Sequence, residues 1–220
     1  MHKNVDQLIY IQKEIQTKII ELNYQNYKPK IIAVTKTFAM EQILPLIHHN
    51  HEDFGENKVQ EANEKWTEIK KNFPNIKLHM IGKLQTNKVK YVIPLFDYIH
   101  SLDSLKLAEK ISEQQIKYNK KLKIFIQINL GNEDQKGGID DKNLESFYTK
   151  CTDDLNLNII GIMCIPPINN SSIYFSRMRD LSEKHKFSEL SMGMSSDYLK
   201  ACEYKSTFLR IGSKIFGKRN

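Results

Sequence analysis

The sequence predicts a (β/α)8 barrel, and three observations predict it. Short apolar runs recur along the 220 residues, about eight in all. Polar, helix-favouring stretches separate them, several striped at steps of three and four. No low-complexity tract or mid-chain linker interrupts the alternation. Alternating strands and helices make parallel βαβ units, buried on both faces. An open doubly wound sheet satisfies the same alternation. Eight repeats without a break favour a closed barrel, read as one domain over 1–220.

The elements follow in order. Residues 3–24 read as an extra N-terminal amphipathic helix, with Leu8, Ile11, Ile15, Ile19 and Leu22 on one face. The first strand is Ile31-Ile32-Ala33-Val34-Thr35, mostly β-branched and unbroken, as in a strand covered on both sides. Further strands are expected near 52–54, 77–81, 97–100, 122–129, 158–163, 188–191 and 207–211. Val59, Ala62, Trp66 and Ile69 stripe one intervening helix, and Leu105, Ala108 and Ile111 another. Gly137-Gly138 and Pro166-Pro167 read as local turns.

Composition excludes several functions. The net charge is +7, which suits nucleic-acid binding, but Lys and Glu are interspersed and no recognition motif is present. Lys83, Lys88 and Lys90 beside Tyr91 form the densest basic patch, read as a solvated face able to attract a phosphate. No specific nucleic-acid partner is expected. No apolar stretch approaches the roughly 18–20 residues of a membrane helix, and the first residues lack a leader's apolar segment. A cytoplasmic protein without a membrane partner is the expectation. Cys151, Cys164 and Cys202 are odd in number and far apart, which fits neither a disulfide framework nor a zinc site. His48-His49-Asn50-His51 has no acidic or Cys complement and reads as a solvated helix end, so no metal is expected.

A barrel gathers its binding residues where strands end. Strand one ends at Lys36. An amine near apolar walls has a lowered pKa and becomes nucleophilic. That suits Schiff-base formation with an aldehyde, including pyridoxal 5'-phosphate (PLP). A snorkelling lysine that merely caps a strand gives the same pattern. Strands seven and eight end in Ser191-Met192-Gly193-Met194-Ser195 and Arg210-Ile211-Gly212-Ser213. Gly193, Ser195, Gly212 and Ser213 offer N–H groups and hydroxyls at the start of helical turns, where phosphate is favoured. Closure makes strand one a neighbour of strand eight, so amine and phosphate cradle lie side by side. Gly212 to Lys218 fits most of a P-loop, but Arg219 stands where Ser or Thr must hold magnesium, so nucleotide hydrolysis is not expected.

Six strand-end segments also carry a family resemblance. They are Ala33-Val34-Thr35-Lys36-Thr37, the stretch from Phe54 to Glu61, the stretch from His79 to Lys88, Gly161 to Pro167, Leu190 to Asp197, and Arg210 to Gly217. In that order they resemble the PLP homeostasis protein family, whose barrel is of the alanine-racemase N-terminal type without the β-rich second domain. The resemblance implies that Lys36 forms an internal aldimine with PLP. It implies that Arg210 faces the pyridine nitrogen, that Ser195, Gly212 and Ser213 hold the phosphate, and that Asn57 and Met163 line the ring. Thr35 stands where serine is common and Cys164 where a small residue is common; neither change removes a cofactor contact. Lys136, in Asp134-Gln135-Lys136-Gly137-Gly138-Ile139, is a candidate secondary amine, though a solvated loop lysine is the simpler reading.

The function so implied is PLP homeostasis: binding the cofactor, keeping its free level low and supplying it to PLP-dependent apoenzymes. No catalytic residue is assigned. A racemase needs a second acid/base group opposite its lysine. His79 is the one candidate at a strand end, and the resemblance gives it no such role. A weak PLP-dependent amino-acid racemase and a cofactor-free aldolase-like barrel are the alternatives. A monomer is expected, since the missing domain supplies the racemase dimer interface.

Overall fold

The computed structural model describes residues 2–131, 137–167 and 170–217. Eight parallel strands close into a barrel in chain order. They are β1 (Lys30–Val34), β2 (Asp53–Glu56), β3 (Lys77–Met80), β4 (Tyr98–Leu102), β5 (Lys123–Ile128), β6 (Ile159–Cys164), β7 (Glu189–Met194) and β8 (Phe208–Ile211). Closure is made by β1 on β8, with Ile32 opposite Arg210. The open-sheet alternative is thereby set aside.

Helix α1 (Lys3–Glu21) precedes the barrel and buries Val5, Leu8, Ile11, Ile15 and Ile19. The helix stops before the expected residue 24. Leu22 caps it, and Asn23 and Asn26 take left-handed backbone, a conformation asparagine tolerates. The other helices are α2 (Met40–His48), α3 (Val59–Asn72), α4 (Val89–Leu95), α5 (Leu105–Tyr118), α6 (Leu144–Thr149), α7 (Ser171–Lys184), α8 (Tyr198–Glu203) and α9 (Ser213–Phe216). Val59, Ala62 and Trp66 are buried as expected, with Ile69 partly so, and Ala108 and Ile111 are buried too, but Leu105 is exposed and Leu107 takes its place on the buried face. None of the helices among the described residues is long and apolar enough to cross a membrane.

Alternation along each strand divides the core in two. Outward residues such as Ile31, Ala33, Phe54, Leu78, Ile99, Ile126 and Leu209 join one large cluster with the helices. Inside the barrel, Ile32, Tyr98, Phe125, Met163 and Phe208 form a second, smaller cluster. Two strands run further than their apolar runs suggest. β4 continues to Leu102 and β7 to Met194, each through a register shift. Both pass through polar residues that are fully buried, His100, Ser101 and Ser191. An apolar-run criterion stops at such residues even when they sit in the core.

Candidate functional site

The C-terminal mouth of the barrel opens into a cavity of about 570 Å3. Six of the seven residues expected from sequence line it: Lys36, Asn57, Ser195, Arg210, Gly212 and Ser213.

Lys36 leaves β1 through a clamped turn. Thr35 is fully buried, and its Oγ1 donates to Glu56 Oε1 at 2.7 Å. Lys65 Nζ, from α3, donates to the carbonyls of Thr35 at 2.8 Å and Phe38 at 3.2 Å. The same ammonium pairs with Glu56 at 2.7 Å and Glu61 at 2.8 Å. Thr37 has φ +68°, costly for a β-branched residue, and its N–H donates to Glu61. Strain of this sort costs on the order of 1–3 kcal/mol and persists only where surroundings enforce it. Here both neighbours of Lys36 are tied to α3.

Asn57 follows β2, and the loop after β3 closes directly on it. A Cβ at Gly82 would lie 2.3 Å from the Asn57 carbonyl oxygen, so this approach requires glycine. Asn57 Oδ1 is buried without a hydrogen-bond partner among the described residues. An orphaned buried amide oxygen on a pocket wall is the mark of a site built for a polar ligand.

The loops after β7 and β8 meet at Ser195. Its Oγ accepts from the backbone N–H of Gly212 at 3.2 Å and of Lys214 at 3.4 Å. These N–H groups open α9 and converge on one spot, the arrangement that favours an anion. Asp197 Oδ1 accepts from Met194 N–H at 2.7 Å and fixes the preceding turn.

Arg210 is buried. It donates to Ser191 Oγ at 2.7 Å and to the Cys164 carbonyl at 2.8 Å. Burial lowers its pKa, yet a guanidinium stays protonated at neutral pH. Lys36, Lys83 and Arg210 bring basic side chains to the cavity, and no carboxylate is among the described residues that line it.

Met163 lies apart from the other six. It is fully buried in the inner cluster with Ile32, Tyr98, Phe125 and Phe208 and is not on the cavity wall. Inward residues on β6 recur every second position, and Ile165, two residues nearer the mouth, lines the cavity instead. The basic patch also divides. Lys83 lines the cavity, whereas Lys88 and Lys90 lie against the Tyr91 ring. Lys136 falls outside the described residues. Sequence reasoning missed Gln127, whose Nε2 donates to the Gly137 carbonyl at 2.6 Å on the cavity wall, and Ser191. Inward parity on β5 and β7 was the available signal. No group of three or more His, Cys, Asp or Glu among the described residues can hold a metal ion.

Comparison with known proteins places this geometry. The family model for the alanine racemase N-terminal domain matches residues 14–220. The pyridoxal phosphate homeostasis protein of Pasteurella multocida is 36% identical over 225 residues, covering 97% of this chain and 96% of that protein. The human protein of the same name is 34% identical, covering 88% of this chain and 78% of its own length. The structure of PipY from Synechococcus elongatus with PLP bound superposes with a TM-score of 0.80 at 30% identity, over 92% of this chain and 100% of that one. Alanine racemase from Corynebacterium glutamicum shares the fold, with a TM-score of 0.67 at 16% identity, over 94% of this chain and 62% of that one.

Proposed function

Because the chain belongs to the pyridoxal phosphate homeostasis protein family, we propose that its strand-end cavity binds PLP, and that the protein keeps the free cofactor low and supplies it to other enzymes. The observation that carries this reading is the convergence of Lys36, Arg210 and the Ser195–Gly212–Ser213 cradle on one cavity, with no carboxylate among the described residues that line it. The residues present fit a phosphorylated aromatic aldehyde. The converging N–H groups suit its phosphate, the orphaned Asn57 oxygen awaits a polar ring substituent, and about 570 Å3 is ample for its size.

Bound PLP supplies an aldehyde carbon that condenses reversibly with an amine, releasing water, and a ring that can withdraw electrons. Lys36 is the amine we assign to that covalent bond. Clamping of Thr35 and Thr37 fixes where its side chain starts. Arg210 has no lone pair to accept a proton. Set against a ring nitrogen, it donates a hydrogen bond and leaves that nitrogen unprotonated, which weakens the ring as an electron sink. A two-base reaction needs a second proton-transfer group. Among the described residues that line the cavity, only Lys83 joins Lys36 and Arg210 as a titratable side chain. Both features favour holding PLP over turning over an amino acid. The same reading has a single-domain cytoplasmic monomer that passes PLP to apoenzymes.

The test is the absorption spectrum of the protein with PLP, before and after borohydride, for wild type and Lys36→Ala. A visible band that borohydride fixes on Lys36, absent from the variant, is expected. No band in wild type would overturn the proposal. Steady interconversion of a chiral amino acid, abolished in Lys36→Ala, would replace the carrier by a racemase.

A further inference from the structure

Barrels of this type fill their interior with branched apolar layers. Here a row of polar side chains crosses the interior beside the inner apolar cluster, and resting on the reading of the cavity as a PLP site, it has a role there. His79 Nε2 lies 2.9 Å from Asp53 Oδ1. His79 Nδ1 lies 3.0 Å from His100 Nε2. His100 Nδ1 lies 2.9 Å from Ser191 Oγ. Ser191 Oγ lies 2.7 Å from Arg210, which also lines the cavity. The row therefore links β2, β3, β4, β7 and β8, the side chains of His79, His100 and Ser191 being wholly buried. Asp53 also borders a separate depression beside Lys30 and His51.

The two ends fix the direction of every bond between them. A guanidinium only donates and an ionised carboxylate only accepts. Ser191 thus accepts from Arg210 and gives its one O–H to His100 Nδ1. His100 Nε2–H donates to His79 Nδ1, and His79 Nε2–H donates to Asp53. Both rings are neutral Nε2–H tautomers. A proton on His79 Nδ1 would point at the His100 N–H. Burial holds both histidines below their ordinary value. Burial works against the Asp53 charge, but the bond from His79, with Lys30 nearby, outweighs it and holds its carboxyl low.

Among the described residues no carboxylate is in ion-pair contact with Arg210, a buried cation. We propose that Asp53, His79, His100 and Ser191 are positioning residues, a one-way hydrogen-bonded chain that holds the Arg210 guanidinium at the cofactor cavity and links its charge to a carboxylate across the barrel. Bonds arranged head to tail polarise one another, and most strongly where water is excluded. Cutting the chain frees the guanidinium to turn from the ring position it serves.

Two measurements test this. The first uses protein free of PLP, with 15N-labelled histidine. Of the seven histidines, His79 and His100 are expected as neutral Nε2–H tautomers at neutral pH, as is His51, whose Nε2 faces the Asp53 carbonyl oxygen at 2.9 Å. An imidazolium, or an Nδ1–H tautomer, at either His79 or His100 would overturn the chain. The second compares PLP binding by wild type, Ser191→Ala and Asp53→Asn. Ser191→Ala removes a bond from a charged donor and is expected to raise the PLP dissociation constant about tenfold. Asp53→Asn keeps an acceptor oxygen but removes the charge, and a smaller rise is expected. Both variants should shift the visible band of bound PLP. Lower melting temperatures with an unchanged band and affinity would reduce the chain to a structural network and overturn the positioning role. Should Ser191→Ala not fold, Asp53→Asn, at the far end of the chain, carries the comparison. Wild-type protein without a PLP band would overturn the cavity reading and the positioning role with it, while the tautomers stand or fall on the PLP-free spectrum.

Discussion

At the scale of single residues, the site depends on side chains that are small or strained where the backbone leaves no other choice. Thr37 holds φ +68° because Glu61 takes its N–H and Lys65 takes the carbonyls on either side. Gly82 is the converse case, since its missing side chain lets the β3 loop touch Asn57. A methyl there meets backbone, which cannot turn aside as a flexible side chain can. Gly82→Ala is therefore expected to push the loop off Asn57 and weaken PLP binding at least about tenfold, with a cost in stability of about 1–3 kcal/mol. Titration of the visible band with PLP reads the first effect and urea unfolding the second. Unaltered affinity in a folded Gly82→Ala protein would show that the loop contact does not shape the site.

At the scale of elements, α3 does more than cover the sheet. It carries Lys65 to the loop after β1 and buries Trp66 against β2, the Trp66 Nε1 donating to Glu56 Oε1 at 3.0 Å. Glu56 is wholly buried, so Lys65 neutralises a charge that has no access to water. Removing one partner of a buried pair costs about 3–5 kcal/mol, because the other charge stays stranded. Lys65→Met is expected to destabilise by that order, and Lys65→Met with Glu56→Gln by clearly less, as denaturant midpoints would show. Equal losses in the single and double variants would mean that packing and not the charge pair holds the β1 loop. Much of this organisation was legible in the sequence. Strand ends could be placed because β-branched runs such as Ile31–Val34 stop where the chain leaves the core, and six of seven expected site residues meet at one mouth. Depth along a strand was not legible. Met163 and Ile165 share a parity, and only the stagger of neighbouring strands decides which reaches the cavity. Ser191, His79 and His100 carried no apolar signal, so the interior chain stayed hidden until closure brought five strands together.

At the scale of the whole molecule, a polar row through the barrel makes stability depend on pH in a stated direction. His51, His79 and His100 all have pKa values held below the ordinary 6.5, with burial the largest cause. When the chain unfolds, these rings regain ordinary values. Below about pH 6.5 the unfolded chain then binds protons that the folded chain refuses, so stability falls as pH falls towards the folded values. Each ring contributes a slope of at most about 1.4 kcal/mol per pH unit within that window. Asp53 acts lower down. Its folded pKa lies below 3.8, so the stability it adds is present above that value and is lost as pH falls through the folded one. The prediction is a melting temperature that declines from about pH 6.5, well before carboxylates titrate, and declines again below pH 4. His100→Gln should lower stability at neutral pH yet flatten the upper decline, because one proton-refusing ring is gone. A wild-type melting temperature constant between pH 7 and 5 would mean that the interior rings take up protons in the folded state, and a protonated His79 and His100 pair is incompatible with a chain that runs one way from Arg210 to Asp53.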